Sequence, residues 1–171
     1  SVPQDDQGKY YRGRAGRTGG SLRIAGYRPH ARQGKMRGAW LAYYAGIIEN
    51  RRKIAEKYDE MFEDNPYFDV VKENPDGESA YHLYPILLKE KYANHKKEIF
   101  SKLRSEGLGV QVHYIPVYLQ PYYQNLGFNK GLCPVDEEFY KRELSIPMYP
   151  TLTDEDLEFV QEKLYKVFSE Y

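Results

Sequence analysis

The residues best suited to chemistry lie in one stretch, residues 109–123. A predicted strand ends at His113-Tyr114, and two prolines, Pro116 and Pro121, then stiffen a segment that carries four tyrosines within ten residues. Polar-tipped aromatic side chains on a rigid loop at a strand end can shape a pocket for a sugar or a nucleotide. The alternative is that these residues pack a small domain, with His113 hydrogen-bonded inside it. The pattern alone favours packing.

The rest of the chain offers no second reactive grouping. Three of the four histidines, His82, His95 and His113, fall in different predicted elements, so no metal site is expected. The single cysteine, Cys133, excludes a disulfide scaffold and is expected to be an inert thiol. The acidic clusters at 136–138 and 154–156 are explained as helix N-termini. We therefore predict no metal ligand and no catalytic residue.

Composition narrows the class of protein further. The chain has 171 residues, 41% hydrophobic and 29% charged, which suits one domain with a real core. No apolar run approaches the roughly 18 residues of a membrane span, and no secretory leader is visible. We therefore expect a cytoplasmic protein that does not enter a membrane.

The first 46 residues differ in composition from the rest. Residues 1–39 carry nine Lys or Arg against two acids, so this segment has a charge of +7 and the remainder −7. Eight of the 14 glycines lie there, and the few apolar residues have no helical or strand period. We predict a basic leader over residues 1–46, disordered or non-native, before a folded domain at 47–171. A tail that binds nucleic acid or another polyanion is the alternative; nucleic acid is the less favoured partner, because no nucleic-acid-binding fold follows.

From residue 47 onward the hydrophobic pattern is that of a folded domain. The predicted strands are 68–71, 79–89, 109–115 and a short or extended segment at 145–149. The predicted helices are one from about Ile47 to Asn65, then 94–106 with Gly107 beyond its end, 135–144, and a last helix capped by Thr153. This order predicts an α+β fold, a short sheet with helices packed on it.

Several motifs in a fixed order give the domain a family resemblance. They are the run 113–123, then Leu126-Gly127-Phe128, Cys133-Pro134-Val135, Ser145-Ile146-Pro147-Met148-Tyr149-Pro150 and Leu152-Thr153-Asp154-Glu155-Asp156. Together they resemble the C-terminal part of the DegT/DnrJ/EryC1/StrS family of sugar aminotransferases. Residues 48–55 with Tyr58 are similar to the long helix that links the large and small domains in that family. Within it, the chain looks most like transaminases of nucleotide-linked keto-sugars, such as the 4-amino-4,6-dideoxy type.

The resemblance implies a fold-type-I homodimer that uses pyridoxal phosphate (PLP) and takes its amino group from glutamate. Such enzymes serve surface polysaccharide or amino-sugar biosynthesis. It also implies substrate contacts by His113, Tyr114 and Tyr118, on the small-domain side of the cleft. Tyr118 stands where many members have a second histidine.

The resemblance also sets expectations for what this chain lacks. The lysine that holds PLP belongs to the large domain of the family, so this chain by itself is expected to be inactive and to bind no PLP. Because the first helix normally packs on that domain, Ile47, Ile48, Tyr58 and Phe62 are expected to leave an apolar face exposed. That face would favour self-association.

The leader has a further interpretation at the level of codons. A one-base shift from Val2 permits Phe-His-Lys-Thr-Thr-Lys, and later codons permit Gly-Gly-Leu-Val-Val. The lysine loop of the family reads much like Ser-Phe-His, then a lysine, Thr-Gly-Glu-Gly-Gly and a hydrophobic strand. The hypothesis is that residues 1–46 are an out-of-frame translation of that segment, which the nucleotide sequence tests.

Overall fold

The computed structural model describes the backbone of residues 31–171 and the side chains of residues 40–171. The predicted disorder and out-of-frame origin of the leader lie outside the described residues over positions 1–30. The chain divides into two compact units, and the one described below is Ala39–Tyr171. Within the described range, no helix combines the length and the apolar character needed to cross a membrane.

The described residues contain six helices, one 3₁₀ turn and three strands. In chain order they are α1 (Ala31–Met61), β1 (Phe68–Val70), β2 (Tyr84–Leu88), α2 (Glu90–Ala93), α3 (Lys96–Ser105), the 3₁₀ turn (Val117–Leu119), α4 (Pro121–Asn125), α5 (Pro134–Arg142), β3 (Glu143–Ile146) and α6 (Asp154–Phe168). The strands form one antiparallel sheet in the order β1-β2-β3, with Phe68 opposite Leu88 and Tyr84 opposite Ile146. The predicted α+β class is confirmed.

The core lies where the sheet meets the helices. In β2 the side chains alternate, so that Tyr84, Ile86 and Leu88 are buried and the residues between them are half-buried. Helix α6 presents a buried stripe at helical spacing, which is the stripe predicted from the sequence: Leu157, Val160, Leu164 and Val167. Helix α3 packs against α6 and buries Ile99 and Leu103. A single apolar core therefore contains residues of both α1 and α6, the first and last described helices.

Two helix ends follow the sequence signals closely. The Thr153 hydroxyl accepts the N–H of Asp156, and the Asp156 carboxylate accepts the N–H of Thr153, which is a complete capping box at the start of α6. Helix α3 ends before Gly107, whose φ of +88° lies in the left-handed region that glycine adopts without strain. Both predictions are confirmed.

Helix α1 corrects the prediction of a helix that starts near Ile47, because it already begins at Ala31. Its apolar residues from Trp40 to Tyr44 are exposed, so they show no core-facing period, although the segment contains good helix formers. The expected exposed face was also partly wrong. Tyr58 and Phe62 are buried against the sheet, whereas Ile48 is exposed.

The strand predicted over residues 79–89 is shorter in the structure and begins only at Tyr84. Tyr81 has a φ of +43°, which takes the chain out of the extended conformation. Arg51 of α1 then holds this bend, donating from Nη1 to the carbonyls of Tyr81 and His82 at 2.8 and 2.9 Å. The hydrogen bonds from Arg51, 30 residues away in the chain from Tyr81, therefore override the alternating pattern that predicted a longer strand.

The predicted strand 109–115 is also wrong, because this segment makes one isolated β-bridge and no strand. Gln111 and Ser145 exchange backbone hydrogen bonds of 3.0 and 2.8 Å. Two residues further on, the N–H of His113 donates to the side chain of Glu143 rather than to a backbone carbonyl. The carboxylate therefore ends the ladder after a single bridge. Strand β3 itself starts at Glu143, two residues before the predicted extended segment.

Candidate functional site

A cavity of about 580 Å³ lies between residues 107–114, the segment after β3 and the start of α6. His113, Tyr114 and Ser145 line one part of its wall, and Tyr149 and Phe159 line another. The wall therefore combines an imidazole and hydroxyl groups with aromatic rings. Such a mixture suits a polar ligand with flat or apolar faces, which describes a sugar or a nucleotide.

Side chains of α1 form hydrogen bonds that fix two of the segments lining this cavity. The buried Tyr58 hydroxyl donates to the carbonyl of Pro147 at 3.0 Å, which fixes the segment after β3. The guanidinium of Arg51 fixes the bend that brings His82 and Leu83 to the cavity. Because burial removes the Tyr58 hydroxyl from water, its pKa is raised above the ordinary value and it stays a neutral donor.

Behind His113 lies a chain of hydrogen bonds that the sequence analysis missed. Glu143 is fully buried, and its Oε2 accepts the backbone N–H of His113 at 2.9 Å. Its Oε1 accepts the hydroxyl of Ser145 at 2.6 Å, and the same hydroxyl oxygen lies 2.9 Å from His113 Nδ1. The available signal was that Glu143 and Ser145 alternate within a short apolar strand, which puts both on one face.

A lysine on α3 interacts electrostatically with this buried carboxylate. Lys96 is half-buried, and its Nζ donates to the Tyr140 carbonyl at 2.5 Å and lies 4.9 Å from the centre of the Tyr140 ring. Burial lowers the pKa of Lys96, and the negative charge of Glu143 acts against that lowering. Glu143 thus accepts two hydrogen bonds and interacts electrostatically with Lys96.

The structure brings two of the three predicted binding residues together. Tyr114 follows His113 through a cis peptide bond, is 69% exposed, and its ring stands edge-on to the imidazole with 4.6 Å between ring centres. Both line the cavity. Their roles as substrate contacts stay predictions.

Tyr118 lies elsewhere, in the middle of the 3₁₀ turn. Its hydroxyl donates to Glu137 Oε1 at 2.7 Å, and that oxygen also accepts the N–H of Gly131 at 2.6 Å. Loss of water contact and the bond to Glu137 raise the pKa of Tyr118 to about 12, and the same bond lowers the pKa of Glu137. Tyr118 therefore holds the loop before α5 and does not line this cavity. Its sugar contact stays a prediction.

The donor set of the cavity does not fit PLP by itself. Among the described residues that line it there is neither a lysine to hold the cofactor aldehyde nor an arginine for its phosphate. The one carboxylate in the wall, Asp156, is committed to the Thr153 capping box. Nor does any group of three His, Cys, Asp or Glu side chains in the described part of the chain suit a metal ion.

Solved structures with the same fold define the class of protein. The chain superimposes on PseC of Helicobacter pylori, an aminotransferase involved in the biosynthesis of pseudoaminic acid, with a TM-score of 0.68, 35% identity and 73% of this chain covered. It matches the putative sugar aminotransferase Spr1654 of Streptococcus pneumoniae in its PLP form with a TM-score of 0.70, 26% identity and 76% coverage. In both cases 33% of the other chain is covered. The fold is thus that of one part of a sugar aminotransferase.

The family follows from the sequence comparison. A model of the DegT/DnrJ/EryC1/StrS aminotransferase family matches residues 27–165, which include the whole of α1. The UDP-4-amino-4,6-dideoxy-N-acetyl-β-L-altrosamine transaminase of Campylobacter jejuni is 42% identical over 120 residues, 70% of this chain and 32% of that protein. The chain belongs to the DegT/DnrJ/EryC1/StrS aminotransferase family. It spans about a third of the length of these relatives.

Proposed function

We propose that this chain forms the small-domain wall of the substrate site in a PLP-dependent aminotransferase. The enzyme would transfer an amino group from glutamate to a nucleotide-linked keto-sugar, as part of amino-sugar or surface polysaccharide synthesis. The observation that carries the proposal is the cavity lined by His113, Tyr114 and Ser145. The names of the Campylobacter jejuni and Helicobacter pylori relatives, which are transaminases of a UDP-linked amino-sugar, support this choice of substrate class.

In this proposal the cavity residues bind and orient the sugar. The imidazole of His113 forms a hydrogen bond to a sugar hydroxyl, and the exposed ring of Tyr114 covers an apolar face of the sugar. Ser145 and Glu143 hold the imidazole from behind. Because all these groups sit on the sheet edge or next to it, the core fixes their positions.

The amino-transfer step itself is assigned to the part of the relatives that this chain does not match. The cavity wall offers no amine for PLP, so we propose that the chain alone binds no PLP and has no transaminase activity. Incubation with PLP, removal of the excess and a visible absorbance spectrum measure this. A retained absorbance band from PLP attached to a lysine would contradict it.

We also propose that the complete enzyme is a homo-oligomer. The support is the exposed aromatic cluster on α1, formed by Trp40, Tyr43 and Tyr44, whose ring centres are 6.1 Å apart in each pair. Clustered apolar side chains on a surface are typical of interfaces. The mass of the chain in solution as a function of its concentration tests whether this cluster associates.

The sugar-binding proposal is tested by an NMR titration of the ¹⁵N-labelled chain with UDP-4-amino-4,6-dideoxy-N-acetyl-β-L-altrosamine. We expect shifts of the amides of residues 107–114 and 145–149, with a dissociation constant of about 1 mM, because a wall on one side buries little of the ligand. UDP alone, as the comparison ligand, should give weaker shifts in these segments.

The matched variants of this titration are His113→Ala and His95→Ala. His95 is exposed, lies before α3 and packs 5.3 Å from the Tyr171 ring, so it shares the residue type but not the cavity. His113→Ala should weaken binding at least several-fold, and His95→Ala should leave it unchanged. Equal binding by a folded His113→Ala chain, or shifts confined to other segments, would refute the site.

A further inference from the structure

We propose that Glu143 and Ser145 are positioning residues that hold the neutral imidazole of His113 with its proton on Nδ1. Nε2 is then left as a hydrogen-bond acceptor at the cavity. The assignment of the proton rests on the hydrogen-bond geometry alone. Its consequence for substrate choice rests on the proposed sugar-binding function.

The position of the proton follows from counting donors along the chain of hydrogen bonds. Glu143 Oε2 is occupied by the backbone N–H of His113, and Oε1 takes the only hydrogen of the Ser145 hydroxyl. The Ser145 oxygen can then act toward His113 Nδ1 solely as an acceptor, across 2.9 Å. Nδ1 must therefore carry a hydrogen, and in a neutral imidazole Nε2 carries none.

The reverse arrangement would need a protonated Glu143. In that case the carboxylic acid would donate to Ser145, Ser145 would donate to Nδ1, and Nε2 would hold the proton. The geometry assigns the Ser145 hydroxyl as the donor to Glu143 Oε1 and the His113 N–H as the donor to Oε2, which requires a carboxylate that accepts at both oxygens.

The second ring nitrogen is free to meet a ligand. Within the described part of the chain His113 Nε2 has no protein partner, and no buried side-chain nitrogen or oxygen there lacks a partner. Nε2 is therefore not buried. Because His113 and Ser145 both line the cavity, we infer that the open nitrogen lies on that side.

An acceptor at this position selects among the groups of a nucleotide-sugar. A neutral imidazole with a bare Nε2 accepts a hydrogen bond from a hydroxyl or an amide N–H, and it cannot donate one to a phosphate or a carbonyl oxygen. We therefore assign the contact of His113 to a sugar hydroxyl or the N–H of an acetamido group. The diphosphate must be held elsewhere.

The test is a long-range ¹H–¹⁵N NMR spectrum of the full chain with labelled histidine, at a pH where the His113 ring is neutral. This spectrum distinguishes a protonated from a bare ring nitrogen directly. We expect Nδ1 protonated and Nε2 bare in the unchanged chain. A wild-type spectrum with the proton on Nε2 would overturn the proposal.

Three variants separate positioning from general stability. Ser145→Ala should move the proton toward Nε2, and Ser145→Thr, which keeps a hydroxyl, should preserve the wild-type tautomer. Ser105→Ala is the matched control, since its hydroxyl donates to the Lys102 carbonyl at 2.7 Å on the exposed end of α3. An unchanged tautomer in a folded Ser145→Ala chain would overturn the proposal.

The wild-type spectrum decides the tautomer even if a variant fails to fold. The measurement also needs no sugar, so it fails independently of the titration with the UDP-sugar. A protonated Nδ1 without sugar binding would overturn the proposed function and leave the positioning role intact. Sugar binding with a protonated Nε2 would overturn the positioning role and leave the proposed function intact.

Discussion

Aromatic residues serve two opposite purposes in the sheet core and in residues 114–135. In the core, Phe62, Phe68 and Phe168 are at most 1% exposed, and neighbouring rings meet at 5.1 and 5.7 Å between centres. In residues 114–135, by contrast, Tyr122 is 68% exposed and Phe128 is 43% exposed. The abundance of aromatic residues therefore does not tell where they pack. Whether a ring is buried depends on whether its helix or strand places it on the side that faces the core.

The two regions are also held together by different forces. The core is stabilised by apolar burial over three strands and the helices α1, α3 and α6. Residues 114–135 contain only short helical segments, and hydrogen bonds such as that of Tyr118 to Glu137 of α5 hold them in place. A segment of this kind keeps its rings available for a ligand or a partner, because the fold does not consume them.

Removing one ring from each region should give the largest contrast. Phe168 is fully buried and meets Tyr67 and Tyr92 at 5.5 Å, so Phe168→Ala should lower the free energy of unfolding by about 3–5 kcal/mol. Tyr122→Ala, at an exposed position, should change it by less than about 0.5 kcal/mol. Urea unfolding followed by far-ultraviolet circular dichroism measures both. Similar losses would erase the distinction between the two regions.

Removing one hydroxyl from each region should give a smaller contrast. Tyr58→Phe removes the donor of a part-buried hydrogen bond to Pro147 and should cost about 1–2 kcal/mol, because the carbonyl loses its partner. Tyr118→Phe removes a hydrogen bond to Glu137 of α5 between two half-buried side chains, where water can replace the lost partner, and it should cost less than Tyr58→Phe. Thermal unfolding of both variants decides the order. A larger loss for Tyr118→Phe would show that the loop contributes to the core.

The helix starts offer the smallest of the three contrasts. Thr153→Ala should destabilise the chain by about 1 kcal/mol through loss of the cap of α6. Gln120→Ala before α4 should cost nothing measurable, since that residue forms no side-chain cap. Equal effects in chemical denaturation would mean that the capping box contributes nothing.

The same cap predicts how stability depends on pH. The hydrogen bonds from Thr153 lower the pKa of Asp156 from its ordinary value of 3.8. The stabilisation is therefore present above about pH 4 and is lost as the pH falls through the lower folded pKa. Asp156→Asn should be less stable than the unchanged chain at neutral pH, and the difference should shrink in acid. A constant difference would contradict this coupling.

How far the sequence predicts this fold depends on whether the signal is local. Helix α6 and its Thr153 cap were predictable because the cap, the acidic first turn and the apolar stripe all lie within one helix. The strand at 109–115 was not, since the Glu143 side chain, 30 residues away, takes the N–H that a strand would use. The predicted length of β2 was wrong for the same reason, because Arg51 of α1 holds the bend that precedes the strand.

The residues of the candidate site differ in the same way, since some have a local sequence signal and others do not. His113 and Tyr114 stand out in the sequence because a strand end and prolines surround them, and both line the cavity. Glu143 and Ser145 do not stand out, because a polar pair in an apolar strand acquires meaning only once the Gln111 bridge brings His113 opposite to it. Tyr118 does not line the cavity and donates to Glu137, and its substrate contact stays a prediction.

The position of Trp40 on α1 determines what optical spectroscopy can see in this protein. It is the single tryptophan of the chain, is 57% exposed, and precedes Ile54, the first core residue of the helix, by 14 positions. At the rise of an α-helix this is about 20 Å. Its fluorescence therefore reports on the outer part of α1 rather than on the melting of the core. Any partner that covers this end of the helix should shift the emission to the blue before any other spectroscopic signal changes.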